Sequence, residues 1–177
     1  VEQNFTEAIR LFKLASEQGN SLAQNNLGAM YECGEGIEQN FQEAFRLYSL
    51  SANSGYSSAQ ANLGSLYLRG EGVEQNIDEA IRLNVLAAEQ EDPRGFYNLA
   101  YCYKLGLGVK QDNDESLRLL KVAVKSGLDC AEYTLATHYL DGDGVEQNIE
   151  EAIRLYSLSA EKGNYGAKKK LDEILSK

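Results

Sequence analysis

The sequence predicts an all-α chain, a solenoid of about five 36-residue helix-pair repeats. Three observations predict it. The stretch Val1-Glu2-Gln3-Asn4 returns as Ile37-Glu38-Gln39-Asn40, Val73-Glu74-Gln75-Asn76, Val109-Lys110-Gln111-Asp112 and Val145-Glu146-Gln147-Asn148, 36 residues apart each time. Self-similarity at a fixed period of roughly 20–50 residues marks a repeat architecture. Between the tetrads, apolar residues recur at helical spacing and none of the stretches alternates with period two, so no sheet is expected. Glycines punctuate the helical stretches at matching places.

Each unit divides into two helices. The first stretch runs from Phe5 to Gln18, with Ala8, Leu11, Leu14 and Ala15 on one face, and Gly19 ends it by entering the left-handed region. The second runs from Ser21 to Glu32, with Ala23, Leu27, Met30 and Tyr31 on one face, and Gly34-Glu35-Gly36 breaks it. Asn40, Asn76, Asp112 and Asn148 precede the following helices, where a short polar side chain caps free backbone N–H groups. Carried along the chain, this yields ten helices of about 12–14 residues. In the tetrad-to-tetrad frame the units are 1–36, 37–72, 73–108, 109–144 and 145–177, one repeat domain over 1–177.

No helix of such a unit buries its apolar face alone, so the units must stack. Ala23, Ala59 and Ala131 permit close approach, Leu27, Leu63, Leu99, Leu135 and Leu171 fill the space, and Tyr31, Tyr67, Tyr103 and Tyr139 form a second buried layer. Leu171, Ile174 and Leu175, with charge opposite them, read as a capping end. Val1 begins inside a unit, which predicts further repeats or a leader upstream.

The charge balance narrows the partners. With 17 Lys and Arg against 27 Asp and Glu, the net charge is −10, which disfavours nucleic acid, since phosphate binding needs clustered cations. The one basic run, Lys168-Lys169-Lys170, is followed at once by Asp172 and Glu173 and reads as a solvated face. No apolar run approaches the ~20 residues of a membrane span. Cys33, Cys102 and Cys130 occupy three different repeat positions, so they predict free thiols and a reducing, cytoplasmic compartment.

The pattern Ala-x-x-x-Leu-Gly-x-x-Tyr-x-x-Gly-x-Gly-Val-x-x-Asn, then Glu-Ala-x-x-Leu-Tyr-x-x-Ser-Ala-x-x-Gly, is followed almost throughout by Ala23 to Gly55 and Ala131 to Gly163. It resembles the Sel1-like repeat family, a relative of the tetratricopeptide repeats, over essentially the whole chain. The resemblance implies a right-handed α/α superhelix serving as a non-catalytic adaptor in multiprotein complexes. The third unit departs from it, with Glu91 for the turn glycine, Gly95 for the packing alanine and Ala100 for the helix glycine.

Few motifs suggest chemistry. The Gly-x-Gly turns follow helices rather than strands, and three of them hold a carboxylate, so they do not fit a phosphate loop. His138, the only histidine, stands where other units have Met30, Leu66, Cys102 and Ile174, a packed position; with no recurring third ligand, no metal and no cofactor is expected. Glu7, Glu43, Glu79, Glu115 and Glu151 each precede an arginine by three residues and read as a stabilising charged ladder rather than a catalytic row. Asn4-Phe5-Thr6 matches the glycosylation pattern once, in one unit only.

The tyrosines outside the repeat logic mark the candidate site. At 100° per residue, Arg94, Tyr97, Tyr101 and Lys104 form a stripe opposite Gly95, Leu99, Cys102 and Tyr103, and Tyr133 belongs with them. By the resemblance this face lines a concave groove, where Asn26, Asn62 and Asn98 would hydrogen-bond an extended peptide. The two cations beside the tyrosines predict a protein or peptide partner carrying an acidic group. A self-assembling array using its end faces is the alternative; a β-lactam-directed enzyme of the Cys-rich relatives is disfavoured, because their paired cysteines are missing. Thiol titration after denaturation without reductant is expected to find all three cysteines reactive; only one would reveal a disulfide.

Overall fold

The computed structural model describes residues 5–176; the first tetrad, Asn4 included, lies outside the described residues. These residues form ten α-helices: α1 Phe5–Glu17, α2 Ser21–Cys33, α3 Phe41–Asn53, α4 Ser57–Arg69, α5 Ile77–Glu89, α6 Pro93–Leu105, α7 Asn113–Lys125, α8 Asp129–Asp141, α9 Ile149–Glu161 and α10 Tyr165–Leu175. The all-α, helix-pair expectation holds, with boundaries within a residue or two of those read from the glycines. By contacts the chain divides into two compact units, Val1–Asn98 and Leu99–Lys177.

The recurring tetrad is a structural staple. The Asn40 side chain accepts a hydrogen bond from the Glu43 backbone N–H at 3.0 Å, and Asn76, Asp112 and Asn148 repeat this on Glu79, Glu115 and Glu151. The preceding glutamine reaches the other way. Gln39 Nε2 donates to the Glu32 carbonyl at 2.7 Å, and Gln75, Gln111 and Gln147 do the same to Leu68, Lys104 and Leu140. One residue thus satisfies the last carbonyls of one helix while its neighbour caps the next. The glycines between them hold positive φ, as at Gly34 and Gly36, both at 71°.

In the first unit, α2 and α4 each bring a glycine onto the following helix. A Cβ at Gly28 would stand 2.9 Å from the Tyr48 ring, and one at Gly64 would stand 2.7 Å from Asn84 Nδ2. The space a side chain would take is filled by the neighbour's, which is how close-packed interiors avoid voids. Tyr48 is buried, and its hydroxyl donates to Glu32 Oε2 at 2.7 Å; burial, then the Glu32 carboxylate, pushes its pKa well up. Arg69 donates to the other Glu32 oxygen at 2.6 Å and to Glu71 at 2.6 Å, so one carboxylate joins three helices. Two apolar clusters form around this contact. One is Ile9, Leu27, Met30 and Leu47; the other includes Ala44, Tyr48, Ala59, Leu63, Leu66 and Leu83.

In the second unit, Leu99, Cys102, Leu117, Leu120, Leu135, Leu155 and Tyr156 are buried. The aromatic layer differs from expectation. Tyr31, Tyr67, Tyr103 and Tyr139 are only half-buried, and the fully buried rings are Tyr48 and Tyr156. The first set lies beside the loops, with backbone carbonyls of Tyr31, Tyr67, Tyr103 and Tyr139 each accepting the tetrad Asn or Asp N–H; the second set lies between helices.

The irregular third unit has a physical account. Gly95 lets α6 approach α5 closely, since a Cβ there would meet the Ala88 nitrogen at 2.7 Å and the Asn84 carbonyl oxygen at 2.8 Å. Glu91 keeps the turn's left-handed backbone without glycine, at φ 60°, which for a residue with a Cβ is strained. Asp92 then caps α6, accepting the Arg94 N–H at 3.0 Å and the hydroxyls of Ser57 and Ser58 at 3.1 and 2.7 Å. Glu91→Gly should therefore raise stability by ~0.5–1 kcal/mol, read as a higher urea midpoint at unchanged slope; a lower midpoint would show that the turn stores no strain. Leu99→Ala, at a buried position, is expected to lower stability by ~2–5 kcal/mol in the same assay.

Candidate functional site

Of the asparagines proposed for peptide binding, Asn26 and Asn62 are linked through Asn25, and Asn98 is tied to Asn84 instead. Asn25 Nδ2 donates to Asn26 Oδ1 at 3.3 Å, and Asn62 Nδ2 donates to Asn25 Oδ1 at 3.0 Å. Asn98 Nδ2 donates to the Ala61 carbonyl at 3.0 Å and to buried Asn84 Oδ1 at 2.8 Å. Each asparagine keeps half its amide without a partner among the described residues: Nδ2 of Asn26, Oδ1 of Asn62 and Oδ1 of Asn98. Arg94 is exposed, donates to Ser58 Oγ at 3.2 Å and stands 3.9 Å from Asp92. Tyr97 is half-buried and has a partner of its own.

In the second unit, Tyr101 is half exposed, with Leu105 exposed one turn on. Lys104 is engaged by Asp143, whose two carboxylate oxygens accept at 2.8 and 3.0 Å; that contact, with a smaller contribution from His138, holds the Asp143 carboxyl below the usual range. Tyr133 leans on Tyr156 with ring centroids 5.5 Å apart. Tyr133, Thr134, Thr137, His138, Asp141 and Asp143 line a hollow of about 190 Å³. His138 is the core histidine the sequence predicts: its side chain is 11% exposed, and Nδ1 lies 2.7 Å from the Asp143 carbonyl. Both cations of the α6 stripe thus engage protein acceptors, Arg94 in the first unit and Lys104 in the second.

Other candidate chemistry resolves into structure. No group of three or more His, Cys, Asp or Glu among the described residues could hold a metal, and no helix among them is long and apolar enough to cross a membrane. The Ser-x-x-Lys spacing occurs once, at Ser159 and Lys162, but the two side chains diverge. Buried Ser159 donates to the Asp129 carbonyl at 2.8 Å, whereas Lys162 reaches the Gly127 carbonyl and Glu132. Cys33, Cys102 and Cys130 form no disulfide with one another; burial pushes the Cys102 thiol up to about 11.

Sequence reasoning missed two polar features. Asn25 is the acceptor on which the asparagine ladder turns, and Glu132 is a carboxylate 3% exposed, paired with Lys162. A signal existed for the second. Glu132 occupies the position of Gln24 and Gln60, and Lys162 follows it by the same 30 residues that separate Gln60 from its hydrogen-bond partner Gln90.

A family model described as the Sel1 repeat matches residues 1–20, 21–56, 57–92, 97–128 and 131–164. Its full repeats start at α2 and α4, half a unit out of step with the tetrad frame. Among solved structures, a Sel1 repeat protein from Oxalobacter formigenes is 29% identical, over 93% of this chain and 74% of that one, with a TM-score of 0.69. The c5321 protein, a protective antigen of uropathogenic Escherichia coli displaying the same fold, is 34% identical with a TM-score of 0.67; the match covers 99% of this chain and 38% of that one. The immunity protein Pa5087 of Pseudomonas aeruginosa, 23% identical over 90% of this chain and 59% of its own, is alike in fold at a TM-score of 0.65. No curated protein matches the chain in sequence.

The charged ladder is real and local. In each pair the arginine Nη2 lies 2.6–2.7 Å from its glutamate. That hydrogen bond, more than the ionic attraction, holds Glu7, Glu43, Glu79, Glu115 and Glu151 below the usual carboxylate range. A carboxyl lowered on folding adds stability above its unfolded pKa of ~4.3 and loses it as pH falls through the folded value. Replacing all five with Gln should therefore narrow the stability gap to wild type between about pH 6 and about pH 3. A gap in urea midpoint that stays constant would assign the ladder no pH-dependent role.

Proposed function

Because the chain belongs to the Sel1 repeat family, whose repeats generally serve as protein–protein interaction scaffolds, we propose that it is a non-catalytic adaptor binding an extended peptide segment. The observation that carries this reading is the half-used asparagine ladder. Asn26 offers a donor and Asn62 and Asn98 offer acceptors, all half-buried and on α2, α4 and α6 at equivalent repeat positions. A polar group left without a partner at a partly dry surface gains by pairing with a ligand's backbone.

The stripe on α6 supports the same reading. Tyr101 is 50% exposed and makes no hydrogen bond among the described residues, and exposed tyrosine is a residue type that dominates interface energetics. Arg94, whose acidic neighbour stands 3.9 Å off, can turn to a carboxylate on the ligand; Lys104 would have to exchange Asp143 for it. The acidic partner is thus assigned to Arg94 first. Tyr133, half-buried against Tyr156, serves as apolar wall. Three cysteines with no disulfide among them, Cys33 exposed, fit a reducing compartment.

A peptide selected against the protein from a random display library provides the ligand for the test. Asn62→Ala, and Tyr97→Ala combined with Tyr101→Ala, are each expected to weaken binding by ~1–3 kcal/mol by calorimetry, with helical content retained. Unchanged affinity in both folded variants would overturn the assignment of this face.

A further inference from the structure

The hollow on α8, within the second unit, is lined mostly by hydrogen-bond acceptors. Thr134 and Thr137 donate their hydroxyl protons to the Cys130 and Tyr133 carbonyls, at 2.8 and 3.1 Å. His138 Nδ1 lies 2.7 Å from the Asp143 carbonyl oxygen. That oxygen can only accept, so Nδ1 carries the proton and Nε2 of the neutral ring is a bare acceptor. Nε2 has no partner among the described residues. Asp141, exposed beside it, pairs with no cation among them. Of the lining side chains, only Tyr133 has a hydroxyl proton left to offer. No other repeat has this set. Where α8 carries Thr134, His138 and Asp141, α4 carries Asn62, Leu66 and Arg69, an apolar residue and a cation in place of the imidazole and the carboxylate.

From this one-sided lining we infer that the hollow receives a basic side chain, lysine or arginine, of the bound partner. The aliphatic stem lies along the Tyr133 ring, and the cationic head donates to His138 Nε2 and Asp141. A volume of about 190 Å³ holds one such side chain. Lys104 of α6 already brings an ammonium to Asp143, at 2.8 and 3.0 Å, so the same wall accepts a cation within the protein itself. A carboxylate in the hollow would meet Asp141 and Asp143 and find few protons, which excludes an acidic side chain there. That the cation comes from a protein rests on the peptide reading above. The hollow's preference for a cation does not, so the two are tested apart.

His138 is the only histidine of the chain, so its ring-proton signals in NMR report on the hollow directly. The probes are the N-acetyl, N-methylamide forms of lysine, arginine, norleucine and glutamate, titrated at about pH 8, where an imidazole is neutral. Lysine or arginine should displace the His138 signals saturably, and the tighter of the two names the side chain. Norleucine, which keeps lysine's stem without the ammonium, and glutamate should give no saturable displacement. Asp141→Asn should weaken the cation's binding about fivefold. Lys104→Gln, which leaves both Asp143 oxygens to the probe, should strengthen it about threefold. Helical content should be unchanged in both variants. Norleucine matching lysine would make the hollow a plain apolar site and overturn the inference. Saturation by glutamate, silence from all four probes, or unchanged affinity in both variants would overturn it too. None of these results touches the peptide reading, which is tested at Asn62, Tyr97 and Tyr101.

Discussion

The closest contact between consecutive helices in the first unit governs the rest of its geometry. Where Gly28 meets the Tyr48 ring and Gly64 meets Asn84, an added Cβ would stand 2.9 and 2.7 Å from the neighbouring side chain, so each helix pair packs closer than a larger residue would let it. Packed so, Tyr48 reaches Glu32, and Glu32 can hold Arg69 of the helix beyond. A connection of variable length would destroy this, because adding one residue rotates a helix by ~100°. The tetrad removes that freedom. Its glutamine is tied back to the helix before it and its Asn or Asp forward to the helix after it, in all four described copies. The 36-residue spacing without insertions is thus the sequence's record of a steric requirement.

What could be read in advance follows from this. Helices, caps and turn glycines are specified by residues near one another in the chain, so Asn40 and Gly34 announce their roles. Contacts one repeat apart do not announce theirs. Lys104 looks like a ligand-facing cation until Asp143, 39 residues on, is found against it. The row Tyr31, Tyr67, Tyr103 and Tyr139 looks buried by period, yet it is Tyr48 and Tyr156 that are enclosed, since enclosure depends on which helix packs over them. At Glu91 the substitution was visible, but not that the backbone would keep the glycine's conformation regardless.

Net charge is a poor guide to what this surface recognises. The five glutamate–arginine pairs neutralise themselves on exposed faces, where such pairs contribute little. The buried acid, Glu132, is answered by Lys162. What is left to a partner is a small set of groups whose hydrogen-bonding capacity is half used.

The tyrosine stripe and its cations sit where the repeat fails to repeat, whereas Asn26, Asn62 and Asn98 recur with it. Ala23, Leu27 and Tyr31 recur nearly unchanged because stacking demands them, but the neighbouring positions do not. Asn25 is followed at 36-residue steps by Ala61, Tyr97 and Tyr133, Ala29 by Ser65, Tyr101 and Thr137, and Glu32 by Leu68, Lys104 and Leu140. These positions lie on the same helices and within one turn of the invariant ones, so the scaffold holds them rigidly while placing no demand on their identity. A fold that fixes the backbone with one set of positions leaves the other set to carry specificity, and the same division explains why the family resemblance identifies the architecture so readily and the ligand not at all.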